Sequence, residues 1–365
     1  MNRKNLLILS LIAGVCIVLA VAGRLGDGSG PIAGESAGTL FLQGLTRDLD
    51  QVDQILIDGP GSERLVSLDR TEAGWVVAEL GNYPAERTQI NGLLIALGEA
   101  RILEEKTADP EFHSRLGVEA IAAPDAAGIE VSLSSGDAGR WTAVIGDRYG
   151  GTQRYARISS SDRSVLIDRD PEIPTDPADW VFEQIIDVAA SRIQQVEIAH
   201  QDGDSLILSK DALTDSDFSV VQIPADRELQ YAGIANVTGG LLEGLDLEEV
   251  QPRPAEPSAE PVAVIDFRTF DGLVVRVTAE AGDDEDAWLS FSASFDADQA
   301  AAFAAAADQD SGGGEADATD AAAADTAEAS DINARLSGWR YRIPSYKYSQ
   351  LTRRMEDLLQ AVTDE

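Results

Sequence analysis

YPAERTQINGLLIALGEARIL, residues 83–103, decides the fold. Ile90, Leu93, Leu94 and Leu97 recur at i, i+3, i+4 and i+7, which gathers apolar side chains on one face of an α-helix. Such a helix needs a layer to bury that face against, and the flanking sequence supplies strands. Upstream lie VDQILID (52–58), RLVSL (64–68) and GWVVAEL (74–80). Downstream lie GIEVSL (128–133), RWTAVIG (140–146), RYARI (154–158) and SVLID (164–168). β-branched and aromatic residues fill these short runs. Gly136-Asp137 and Gly150-Gly151 punctuate them as hairpin turns do.

The same order returns about 140 residues later. RIQQVEIA (192–199), SLILSK (205–210) and DFSVVQIP (217–224) repeat the first three strands, with Phe218 in the place of Trp75. A helix candidate carrying Ile234, Val237, Leu241 and Leu245 comes next, then VAVIDF (262–267), GLVVRV (272–277), AWLSFSASF (287–295) and GWRYRIP (338–344). Two copies of β-β-β-α-β-β-β-β point to duplication. The fold expected is α+β: two tandem repeats of mainly antiparallel sheet, each with a packed helix, at 49–172 and 191–365. Between them, at 173–190, Asp176 and Pro177 suit the N-cap and first position of a linking helix. The chain closes on YSQLTRRMEDLLQAV, where Leu351, Met355, Leu358, Leu359 and Val362 line one helical face. Residues 296–331 hold ten acids, no base and few bulky apolar groups, so a disordered acidic, Ala-rich insertion is expected there.

Ahead of the copies, Arg3 and Lys4 precede an eighteen-residue apolar run from Leu6 to Gly23. At 1.5 Å per residue it spans roughly 27 Å, enough for a bilayer core. The positive-inside bias keeps the N-terminus cytoplasmic and exports the chain beyond Gly23. A lipoprotein needs a small residue before its cysteine, but Val15 precedes Cys16. Ala20-Val21-Ala22 fits a small-x-small cleavage site, yet the apolar run is longer than that of a cleaved signal. The expectation is an uncleaved single-pass transmembrane anchor at 1–24 in a bacterial inner membrane. A Gly/Ser-rich flexible tether is expected at 25–48, leading to a periplasmic body.

That body is acidic: 28 basic against 64 acidic residues give the chain a net charge of −36. Such a surface repels nucleic acid, which is excluded as a partner. Cys16 is the sole cysteine, so the body forms no disulfide and relies on packing. Chemistry is sparse. His113 and His200 have no histidine or cysteine at metal-ligand spacing, and each suits a surface or turn position. Asp283-Asp284-Glu285-Asp286 lacks the alternating acids and mid-loop glycine of a calcium loop. No nucleophile elbow, phosphate loop or dinucleotide fingerprint occurs. No catalytic, cofactor-binding or metal residues are therefore named, and an enzyme is not expected. Trp75, Trp141, Trp288 and Trp339 fall on strands and Trp180 opens the linker, as core or sheet-face residues or, in the minority case, as ligand platforms.

The arrangement resembles the domain-of-unknown-function family 4340 of bacterial membrane-anchored envelope proteins. The residues that carry the likeness are Gly74-Trp75, Tyr83-Pro84 before the Ile90–Leu97 helix, Arg115-Leu116-Gly117-Val118 ahead of Pro124, Ile145-Gly146, Tyr155 and the Trp339–Pro344 run. Genes of that family commonly accompany ABC-transporter components like those of gliding-motility systems. The resemblance implies a non-catalytic, membrane-anchored accessory or scaffold protein whose partners are the inner membrane and ABC permease or auxiliary subunits. It supplies no catalytic residues. The alternative is an extracytoplasmic ligand-binding module for a glycan or peptide.

Overall fold

A computed structural model of the protein describes residues 36–136, 139–256, 260–281, 287–303 and 318–361. The expected anchor at 1–24, Val362 and the Asp283–Asp286 run lie outside the described residues. Among the described residues no helix is long and apolar enough to cross a membrane.

The β-rich runs form two mainly antiparallel sheets. The first is built from β1 (Gln54–Gly59), β2 (Glu63–Thr71), β3 (Gly74–Val77), β4 (Tyr83–Pro84), β5 (Ile102–Glu105), β6 (Ile129–Ser135), β7 (Gly139–Arg148), β8 (Arg154–Ile158) and β9 (Ser164–Ile167). Their hydrogen-bonded order is β4-β3-β2-β1-β6-β7-β8-β9-β5. Register turns alternation into a face. Ile55 lies opposite Leu68 and Leu133, and Ile57 opposite Val66 and Val131, while Ala143 continues the row from Val131. None of these seven is more than 2% exposed. The short α1 (Leu45–Asp48) precedes β1, and the helix expected from the opening stretch is α2 (Arg87–Glu99). No side chain caps α2, so packing must hold it. Its buried stripe is Ile90, Leu93, Leu94 and Leu97, each stabilising by about 1.5–3 kcal/mol on removal from water.

The second half contains β10 (Gln184–Ile186), β11 (Ile193–His200), β12 (Ser205–Ser209), β13 (Ser219–Val220), α3 (Asn236–Gly239), β14 (Leu245–Asp246), β15 (Glu249–Pro252), β16 (Ala263–Thr269), β17 (Leu273–Ala281) and β18 (Ala287–Phe295). It ends with α4 (Ala318–Leu336), β19 (Trp339–Arg342) and α5 (Ser345–Leu351). β10 and β14 pair by themselves, and the main sheet runs β13-β12-β11-β16-β17-β18-β19-β15. Strand for strand this is the first sheet's order from β3 to β5. One face is again apolar: Val275, Val277 and Ala279, all 0% exposed, lie opposite Phe267, Ile265 and Ala263.

By contacts the chain divides into two compact units. Of the described residues, the first takes those up to Trp75 and Glu86–Asp176, and the second Val76–Ala85 and those from Pro177 on. The ten residues Val76–Ala85 are thus parted from their neighbours in sequence. Those ten belong to the second unit because Tyr83, 8% exposed, stands edge-on to Trp339 and Tyr341 with ring centroids 4.8 and 6.2 Å away. Gly81, at φ +69°, fits against Pro252, where a Cβ would meet Cγ at 2.3 Å.

Five local expectations need correction. The tether does not extend to 48. Phe41, Leu42 and Leu45 are at most 3% exposed, and Gly38, Thr39 and Phe41 exchange backbone hydrogen bonds with Ala100 and Ile102. The linker 173–190 is not a helix. It makes a 3-10 turn at Pro177–Trp180, seats Trp180 at 0% exposure, and then extends into β10. The second copy's helix shrinks to the single turn α3. Gly233 and Gly244 take positive φ on either side, and Gly239 lies where a Cβ would be 2.2 Å from the Phe218 ring. The closing helix stops at Leu351. Arg354 becomes extended and pairs with Asp202 and Asp204 at 2.8 and 2.6 Å, and a 3-10 turn, Met355–Leu358, comes after it.

The insertion is corrected at its two ends; residues 304–317 of it lie outside the described residues. Residues 297–303 are helical, with Phe303 against Phe270 at 5.7 Å, and α4 packs on β17 and β18. Alanine gives up little entropy on entering a helix. The apolar residues that dock α4 are Ala329, Ile332 and Leu336, all buried. Asn333 accepts from the Ala293 N–H at 2.8 Å and donates to its carbonyl at 2.7 Å, and so takes a neighbouring strand's place on β18 where β19, paired at Leu289, does not reach. The Arg192 guanidinium forks onto Glu328 at 3.0 and 2.9 Å and reaches Asp271 at 2.9 Å.

Candidate functional site

The polar residues most deeply placed in the first unit hold a loop to the sheet. Pro110–Arg115 is a 3-10 turn whose first residues are capped by the Asp109 carboxylate. His113, expected at a surface or turn position, sits in this turn but is only 3% exposed, and its Nε2 donates to the Asp162 carbonyl at 2.8 Å. The Arg115-Leu116-Gly117-Val118 stretch then lies directly on the strands. A Cβ on Gly146 would come within 2.2 Å of the Leu116 carbonyl, and one on Gly128 equally close to that of Gly117. Arg157, 6% exposed, donates to the carbonyls of Val118 at 2.7 Å, Ser161 at 2.9 Å and Ser159 at 3.2 Å. Burial pulls the Arg157 guanidinium below its ordinary value, opposed by Asp162, Glu130 and Glu119. A buried cation solvated by carbonyls in this way holds the backbone that carries them.

The second unit's buried polar groups act alike. His200, 7% exposed and again buried against expectation, places Nε2 at 3.1 Å from the Arg353 carbonyl. Lys210, 6% exposed, donates to the Ala190 carbonyl at 3.0 Å and lies 4.3 Å over the Phe218 ring. Tyr341 is fully buried against Phe291 and Tyr83, and burial pushes its phenol well up, with Tyr83 raised for the same reason. Among the described residues no three carboxylate, histidine or cysteine groups are arranged to hold a metal.

An open cavity of about 630 Å³ lies in the first unit, a volume within the range of small-ligand sites. The segment 36–43 forms one wall, where Leu40 bridges to Arg101 beside β5. The start of β7 and the end of β8 form the other, with Arg140, Trp141 and Ile158. Trp141 Nε1 donates across the mouth to the Gln43 carbonyl at 2.9 Å. Glu130 accepts from the Ser159 hydroxyl at 2.6 Å. Of the five tryptophans, Trp75, Trp180 and Trp288 are buried, and Trp141 is the one lining this cavity. Trp141 reads as a strand residue in the sequence, but its surroundings do not show there, because the opposite wall lies in a segment with a tether's composition. The signal available was the apolar spacing of TLFLQGL at 39–45.

Among known families, the model described as Domain of unknown function (DUF4340) matches residues 75–263. The match covers Trp75, Tyr83-Pro84, the Arg115–Val118 loop and Tyr155, and leaves the Trp339–Pro344 run outside. No curated protein and no solved structure matches the chain.

Proposed function

The chain belongs to the domain-of-unknown-function family DUF4340, and from that premise we propose that it is a membrane-anchored extracytoplasmic accessory or scaffold protein of an ABC-type transport system in the cell envelope. One observation carries the reading. The apolar run ending at Gly23 is separated by only twelve residues from Ser36–Leu45, which is built into the first unit. Twelve residues span at most about 40 Å, so an anchor at 1–24 would keep that unit beside the bilayer. The shared strand order of the two sheets supports duplication of one β-rich device, and the buried polar groups support a structural rather than a reactive use of it.

Affinity purification of the full chain from its native membranes in mild detergent tests this. ABC-type permease or auxiliary components are expected to co-purify, and recovery of the chain alone argues against the reading. The cavity beside Trp141 favours a second reading, an extracytoplasmic module that binds a glycan or peptide. A saturable thermal shift with members of either class is the expected sign, and silence across both panels removes it.

A further inference from the structure

We propose that the cavity beside Trp141 is a subsite for a neutral oligosaccharide. This rests on the second reading above and names its ligand class. The cavity's apolar wall is preorganised. Trp141 is held by its indole N–H on the Gln43 carbonyl and by close contact with Gly139, where a Cβ would stand 3.3 Å from Cη2. An indole already fixed gives up little freedom when a ligand stacks on it. Leu40 and Ile158, the latter 36% exposed, extend the wall. An apolar wall that includes an indole suits the C–H face of a pyranose ring.

Around that wall the lining is rich in hydroxyls: Thr39, Thr142 and Ser159. Thr39 and Ser159 already donate, to the Ser36 carbonyl and to Glu130, which leaves their oxygens open as acceptors. Donors are at hand in Gln43 and Arg140, both exposed, for whose side chains no hydrogen bond or ion pair occurs among the described residues. A ligand bearing a hydroxyl on nearly every carbon uses both sets at once. Charge narrows the class further. Glu130 and Arg140 offset one another in the lining, and a chain of net charge −36 disfavours an anionic polymer. The volume lies within the range of small-ligand sites.

The test uses the full chain in an alkyl amine oxide, since glycoside detergents would compete. Chitotriose, cellotriose and maltotriose, and separately a neutral Ser/Thr/Ala pentapeptide, are titrated by calorimetry. At least one trisaccharide is expected to bind saturably. Trp141→Ala should weaken it about tenfold or more, and Trp141→Phe less. Arg140→Ala, an exposed change that leaves the core untouched, should weaken it several-fold. Sugar binding indifferent to both Trp141→Ala and Arg140→Ala overturns the proposal. Peptide binding that depends on Trp141 without sugar binding overturns the sugar assignment and keeps the ligand-binding reading. Absence of binding in both arms removes both.

Discussion

The two sheets share a strand order and differ in where the long helix enters. In the first unit the long helix is α2, between β4 and β5 in the chain, with four large aliphatic residues in its buried stripe. At the corresponding place the second unit has only α3, and its long helix, α4, comes from between β18 and β19. The difference teaches that strand order is the durable part of this architecture. A helix is required to bury the sheet's apolar face, but it can enter from either crossover. The cost of moving it is an acidic, Ala-rich excursion that composition alone would assign to solvent.

Core truncations in the two helices should break the comparison most severely. Leu97→Ala in α2 is expected to destabilise the first unit by about 2–5 kcal/mol, and Leu336→Ala in α4 the second unit by a similar amount. Urea unfolding monitored by hydrogen exchange in each unit reads this out. If Leu336→Ala is silent, α4 is an ornament and the equivalence of the two covers is lost. Asn333→Ala comes next, at about 1–3 kcal/mol, because the Ala293 backbone groups lose both partners. Exchange should rise around Ala293 in β18 before it rises elsewhere in that sheet.

Alkaline pH sharpens the contrast in another way. Burial raises the phenols of Tyr83, Tyr341 and Tyr348 in the second unit above their ordinary 10.0 and, in the first unit, that of Tyr155. Unfolded phenols ionise from about pH 10 while these native ones keep their protons, so stability falls as pH rises from there through the raised native values. The second unit, with three such groups, should open first, seen as tyrosinate absorbance released together with its exchange protection. Opening of the first unit at lower pH would contradict this. The smallest effect expected is for Glu328→Gln. The Arg192 pair is about one-third exposed, so no more than about 1 kcal/mol should be lost by thermal melting.

Much of this architecture is legible in sequence because period and register are local. Ile90, Leu93, Leu94 and Leu97 announce α2, and strand alternation from VDQILID to GWRYRIP places the short runs in the right order. The illegible parts depend on distant partners. α4 depends on Ile332 and Leu336, which lie just past an acidic run and make sense only against β17 and β18. Phe41 and Leu45 read as tether in isolation, and only Ala100 and Ile102, far along the chain, supply the backbone partners that order their segment. His113 and His200 look superficial in sequence because no sequence rule says which carbonyl a ring nitrogen will find. The cavity was legible only in Trp141, since its walls come from segments nearly a hundred residues apart.

Retention at the membrane is the claim on which the scaffold reading stands, and carbonate extraction with intact-mass analysis of the native protein tests it most directly. The account predicts the chain in the carbonate-resistant membrane pellet with its apolar N-terminal segment intact. A soluble periplasmic form beginning just after Ala22 would contradict it.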